Sequence, residues 1–409
     1  MKRLWLCLVS LLLLAACSDE IPENPVVKEE GRTVLAYIVS NNHGGANLDK
    51  YLKNNVRDMY RGLVANQKAS TLLVYYRPYS TDKILEHPSI LKFASDGKGN
   101  VNGKPALDSR SVRVEEVLAQ AEVHPYVENN HVATDPDVMA RVFRDMIGLA
   151  PSKSYGLTFG SHGTGWLEGN SVRTRAFGDD NGFSIDIPEF AQTLKKAFVN
   201  EKVDFVLFDA CMMANAEVAY ELRDVTDYCI GSVLETAVDG FPYADIMGPL
   251  FAENVNYQQV CDAFIDYNRE KGLWGTIATL DCSKMQELAD WVKVNLAAYK
   301  DVLFTDFYRK VQQYGHYPFN YYSFDVVDTF RQLTKQEPTD LQNLINQVVV
   351  AKNCLSGPEY DYDGLVIDED RFCGMGMYLP YRSDKPDWDS YYMSSIAWAK
   401  AVEWSKYRP

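Results

Sequence analysis

Two stretches of this chain each carry an apolar run straight into one reactive side chain: Tyr155-Gly-Leu-Thr-Phe-Gly-Ser-His162-Gly163 and Asp204-Phe-Val-Leu-Phe-Asp209-Ala210-Cys211. A cysteine thiolate can attack a carbonyl carbon, and an imidazole can help generate that thiolate and then hand a proton to the departing amine. His162 and Cys211 would supply both groups, which is the pairing of a cysteine peptidase. Taken singly, a cysteine after an apolar strand is more often an inert core thiol, and a lone histidine is more often structural. Their conjunction favours catalysis, because glycine follows His162 and Asp-Ala precedes Cys211.

Such residues need rigid supports. A buried parallel strand delivers its last residue to the carboxyl edge of the sheet, where open α/β folds place their sites. Apolar or β-branched runs predict strands at Thr33–Ser40, Thr71–Arg77, Tyr155–Phe159, Val203–Phe208, Tyr228–Ser232 and Gly275–Leu280. From about Pro136 they alternate with helical patterns, among them Asp137–Leu149 and Ile187–Val199, which predicts an α/β sandwich over a mostly parallel sheet. Ala214–Leu222 reads as a helix starting beside Cys211, its dipole favouring the thiolate. His87–Val127 carries little periodicity and reads as an insertion or hairpin region. If the strand continues past Asp209, period-two alternation puts residues 209 and 211 on one side. A carboxylate there could pair with an arginine or lysine side chain of a substrate, or simply cap the strand-to-helix turn.

The histidine block Tyr155–Trp166, the cysteine block Asp204–Leu222 and the stretch Tyr228–Tyr243 resemble the clostripain-like peptidases of the caspase-like clan. The spacing from 162 to 211, 49 residues, is close to the roughly 50 of caspases, and Thr33–Ser40 is similar to the family's first strand. One departure is Ser161, where relatives often carry aspartate. The resemblance implies a caspase-like α/β/α sandwich and cleavage after basic residues, with Asp209 lining the S1 pocket and Asp239 a second S1 candidate. It implies an oxyanion hole made by the amides of Gly163 and Cys211. It also implies self-cleavage after Arg173 or Arg175, in the glycine-rich loop between the catalytic residues.

Composition agrees with a large enzyme: 409 residues, 46% hydrophobic and 12% aromatic, suffice for a substantial core. A net charge of −15 argues against nucleic acid as a partner. Lys2 and Arg3 before the apolar Leu4–Leu14 read as a signal peptide over residues 1–16. Leu14-Ala-Ala-Cys17 resembles a bacterial lipobox, so Cys17 would be lipidated and residues 17–31 would form a tether to the membrane, outer membrane or cell surface. A peptidase core over 32–300 and a C-terminal subdomain over 301–409 are expected, with the aromatics from Tyr314 to Phe324 packed rather than binding carbohydrate, a helix over Leu341–Ala351 and a closing helix over Tyr391–Trp404. Of eight cysteines, Cys229, Cys261, Cys282, Cys354 and Cys373 are left as buried free thiols, since no ligand spacing suggests zinc. No cofactor is expected to be required. Calcium stays open through the acidic turns at 178–182 and 361–370, although neither matches EF-hand spacing. His43 reads as a loop histidine. The expected form is a monomer, or two associated chains after self-cleavage. The alternative reading is a non-catalytic surface lipoprotein that binds glycan or a host protein.

Overall fold

The computed structural model describes residues 29–42, 47–168, 177–199, 201–315 and 320–407. At its centre five strands run parallel, in the order Thr226–Gly231, Val203–Asp209, Ser152–Gly160, Glu29–Val39, Ser70–Arg77. Their sequences are nearly continuous apolar runs because both faces are covered. Alternate residues divide between two cores: Leu35, Tyr37, Val39, Leu157, Phe159, Val206 and Phe208 in one, Val34, Ala36, Ile38, Phe205 and Leu207 in the other. Helices Pro136–Leu149, Ile187–Ala197, Ala216–Leu222 and Met285–Ala298 cover the first face; Asp49–Ala65, Tyr243–Phe251 and Tyr257–Lys271 cover the second. This is the α/β/α sandwich expected from the sequence.

Antiparallel strands extend the sheet on both sides. Ser89–Ser95 pairs with Ser70–Arg77 and with Glu122–Pro125, so the weakly periodic 87–127 stretch supplies a sheet edge, with the short helix Val114–Gln120 between its strands. Thr276–Asp281 pairs with Thr226–Gly231, and Val349–Cys354 closes the other edge against it. The chain after residue 300 therefore enters the central sheet itself, and one apolar core runs from Leu35 through Trp166 to Trp398 and Trp404. Tyr314, Tyr322 and Phe324 are fully buried in it, as packing required.

Some boundaries differ. The helix expected over Leu341–Ala351 is Thr339–Val348, and Val349 already belongs to the edge strand, because β-branched residues beside an open sheet edge gain more from pairing than from another helical turn. The closing helix expected over Tyr391–Trp404 is two helices, Pro386–Ser395 and Ala397–Ala401. Asp49–Ala65, unforeseen from the sequence, buries Leu52, Val56, Met59, Tyr60 and Leu63 on one stripe. Cys229, Cys261, Cys282 and Cys373 are buried free thiols, and Cys354 is half-buried and free.

Candidate active site

The two reactive residues arrive on neighbouring strands. Ser152–Gly160 and Val203–Asp209 are parallel with Gly160 opposite Asp209, so His162 and Cys211, two residues past those positions, leave the same edge side by side. They line one cavity of about 280 Å³ with Leu52, Asn55, Asp209 and Glu235. Gly163 lies against the cysteine turn: a Cβ there would sit 3.0 Å from the Ala210 Cβ and from the Cys211 carbonyl oxygen. Glycine permits that approach. At the antiparallel contact between Gly163 and Phe177, the Gly178 amide donates to the His162 carbonyl at 3.0 Å.

After Cys211 the backbone turns sharply. Met212 has φ +60°, a conformation that costs a side-chain-bearing residue about 1–3 kcal/mol and persists only where the surroundings enforce it. Its amide donates to the Leu234 carbonyl at 2.9 Å, and its carbonyl accepts from the Asn215 side chain at 2.8 Å. Met212 and Met213 pack beneath this turn, both buried. The helix begins at Ala216 with Asn215 as its cap, so Cys211 stands five residues before the helix rather than in its first turn. The Cys211 thiol donates to the Thr236 carbonyl at 3.8 Å. Burial, then the nearby Glu235 carboxylate, pushes it up to about 12, which favours the thiol over the thiolate.

Asp209 is buried on the cavity wall. Asn55 Nδ2 donates to its carboxylate at 2.9 Å and the Tyr243 hydroxyl at 3.2 Å. Burial outweighs these donors and the Phe241 amide, raising the carboxyl to about 7. Asp239 is elsewhere: it forms a partly exposed ion pair with Lys271 at 2.8 Å and does not line the cavity. The loop after Thr226–Gly231 still forms a pocket wall, but through Glu235 to Val238. Glu235 was not anticipated, nor were Trp274 and Tyr362, which brace it. The Trp274 indole donates to the Glu235 carbonyl at 2.8 Å, the Tyr362 hydroxyl donates to its carboxylate, and the two rings stack 4.1 Å apart. Asn55, also missed, left one signal: a polar residue on the buried stripe of an amphipathic helix.

Ser161, the departure from the family pattern, ties strand ends together. Its hydroxyl donates to the Val39 carbonyl at 3.0 Å and accepts from the Asp179 amide at 3.2 Å. The hairpin Phe177–Asp180 and Phe183–Ile185 is also held by Asp180, whose buried carboxylate accepts from Asn41 at 2.6 Å, Arg77 at 2.9 Å and the Ala133 amide at 2.7 Å. Arg173, Arg175, His43 and Cys17 lie outside the described residues. His131 is a core residue, bonded to Tyr75 at 2.7 Å and Glu128 at 2.9 Å. Among the described residues no group of three or more His, Cys, Asp or Glu could hold a metal ion, and no helix is long and apolar enough to cross a membrane.

Solved structures with this architecture include a secreted C11 cysteine protease from Bacteroides thetaiotaomicron bound to an irreversible peptide inhibitor: 25% identical, TM-score 0.69, covering 92% of this chain and 100% of that one. A second structure of a secreted C11 cysteine protease from that organism, "iotapain", is 24% identical with a TM-score of 0.71 over the same shares. An inactive zymogen C11 protease from Parabacteroides distasonis is 24% identical with a TM-score of 0.69, covering 92% of this chain and 98% of that one. No curated protein matches. The model of the clostripain family, Peptidase C11, matches residues 36–407. With nearly the whole described fold inside that match, the chain belongs to the clostripain family and is a cysteine-type peptidase.

Proposed function

We propose that the chain is an endopeptidase that cleaves after arginine or lysine through a Cys211–His162 dyad. The observation that carries this reading is that Cys211, His162 and the buried Asp209 line one cavity at the carboxyl edge of the sheet. Because burial and Glu235 favour the Cys211 thiol, attack and deprotonation go together. The Cys211 proton passes to His162 as sulfur bonds to the carbonyl carbon, and the oxyanion is held by the Gly163 and Cys211 amides. Collapse breaks the C–N bond, His162 protonates the departing amine, and water activated by His162 hydrolyses the thioester. Asp209 holds the P1 cation, a charged and bidentate contact where P1 is arginine. Asp239 is left out of S1 because it is paired with Lys271.

The same chemistry would act on Arg173 or Arg175, cutting the chain between His162 and Cys211 into two chains that stay associated. Export and anchoring through a lipidated Cys17 rest on the lipobox-like sequence, and the relatives' description as secreted proteases agrees with a site outside the cytoplasm.

The test is to express residues 20–409 and assay peptides ending in arginine, lysine or norleucine beside Cys211→Ala. Turnover of the basic substrates, lost by at least about 10³-fold in the variant, is expected. A folded, loop-cleaved protein without turnover would sink the proposal in favour of a binding lipoprotein.

A further inference from the structure

The turn that follows His162 and Gly163 is gripped by residues from the far end of the chain. Tyr322 donates its hydroxyl hydrogen to the Thr164 carbonyl, so one side-chain oxygen is fastened to the backbone of the turn. Within that turn Gly165 has φ +64°, and a Cβ there would lie 2.3 Å from the Tyr322 oxygen and 2.7 Å from the Asn215 amide nitrogen. Trp166 is buried, its ring stacked on Tyr322 at 5.9 Å and packed by Tyr378 and Tyr392, each at 4.8 Å.

The same cluster holds the cysteine turn. The Tyr378 amide and the Tyr392 hydroxyl converge on one oxygen of the buried Glu217 at 2.9 and 2.8 Å. Glu217 stands on the helix Ala216–Leu222 that follows Cys211. The Gly376 amide donates to the Ala214 carbonyl at 3.0 Å. Both turns are thus fastened to one aromatic block, although none of Tyr322, Tyr378 and Tyr392 lines the cavity.

We infer that Tyr322 is a positioning residue for the peptidase reaction: its hydroxyl locks the Thr164–Trp166 turn and thereby holds His162 and the Gly163 amide in register with Cys211. This rests on the roles proposed above for those three residues. A turn built around glycine has several accessible conformations, whereas a proton relay and an oxyanion donor tolerate errors of only about 0.5 Å. The hydroxyl removes that freedom without touching substrate.

The experiment compares Tyr322→Phe with Tyr314→Phe in the full chain. Each removes one buried hydroxyl from the same region, Tyr314 donating to Asp325 at 2.6 Å. With an arginine substrate, Tyr322→Phe is expected to lower kcat about tenfold with KM changed less than about twofold, while Tyr314→Phe lowers Tm and leaves kcat unchanged. The rate of Cys211 alkylation by iodoacetamide between pH 6 and 8 is read in parallel, because it reports the His162–Cys211 geometry without turnover. An unchanged kcat and alkylation rate in Tyr322→Phe, an effect carried by KM, or equal kcat losses in both variants would overturn the inference. A wild-type chain that turns over no peptide but shows slower alkylation in Tyr322→Phe would instead count against the proposed function while supporting the positioning role.

Discussion

Asp209 combines two demands that pull against each other. Its carboxyl is raised to about 7 because burial costs the charged form more than Asn55, Tyr243 and the Phe241 amide return. Below that pH the free site holds a neutral acid, so a cationic P1 side chain meets a dipole rather than a charge. We expect kcat/KM for an arginine substrate to rise with pH through about 7 more steeply than for a norleucine substrate, and the pH–rate profiles of the two check this. Asp209→Asn should flatten that difference and cost the arginine substrate about hundredfold, the scale of losing one partner of a buried charge pair. The sign for stability is opposite. A folded-state value above the unfolded one means the native state holds the extra proton, so this contribution is full below about 4 and is lost as pH rises through 7. Asp209→Asn should therefore raise Tm at pH 8 more than at pH 5.

At the scale of elements, the hairpin that begins at Phe177 is as much part of the site as the two strands that lead to His162 and Cys211. Its Gly178 amide holds the His162 carbonyl and its Asp179 amide holds Ser161. If the chain is cut after Arg173 or Arg175, this hairpin starts the second chain, and Asp180 with Arg77, Asn41 and Ala133 fastens it to the first. Asp180→Ala, made on the Cys211→Ala background so that the chain stays whole, should cost about 3–5 kcal/mol in denaturant unfolding by leaving Arg77 and Asn41 without their buried acceptor. Replacing both Arg173 and Arg175 by alanine should leave a single band on a denaturing gel under conditions where the wild-type chain is split. A split double variant would refute self-cleavage at those residues.

For the whole molecule, the division near residue 300 is one of sequence more than of space. Val349–Cys354 is hydrogen-bonded to Thr276–Asp281, and Trp166, Met285 and Trp398 share one core. We propose that the C-terminal subdomain folds only together with the peptidase core. Ending the chain at residue 300 would expose a long sheet edge and a broad apolar face, both templates for aggregation. The expected outcome is a fragment recovered in the insoluble fraction, checked by sedimentation after expression; a monomeric fragment with sharp thermal unfolding would refute it.

The sequence by itself determined the two reactive residues, the strands that carry them and the class of chemistry. A strand buried on both faces writes an apolar run that ends where the site begins, as at Phe159 and Phe208, and that signal is local. Asp209 could be named as the last residue of the second run, but the strand stops there, so it is the turn at residues 210–212 rather than period-two alternation that sets Cys211 beside it. Only the tertiary structure chose Glu235 over Asp239 as the acidic wall of the cavity, because one loop carries both and the position of Lys271 decides which is drawn away. It alone brought Asn55 and Tyr243 onto Asp209 from opposite sides of the sequence. It also turned Val349–Cys354 into an edge strand, and it carried Tyr322 back to the histidine turn. Those outcomes depend on an open sheet edge or on contacts between residues 32 to 158 positions apart, and no local pattern encodes where such partners will meet.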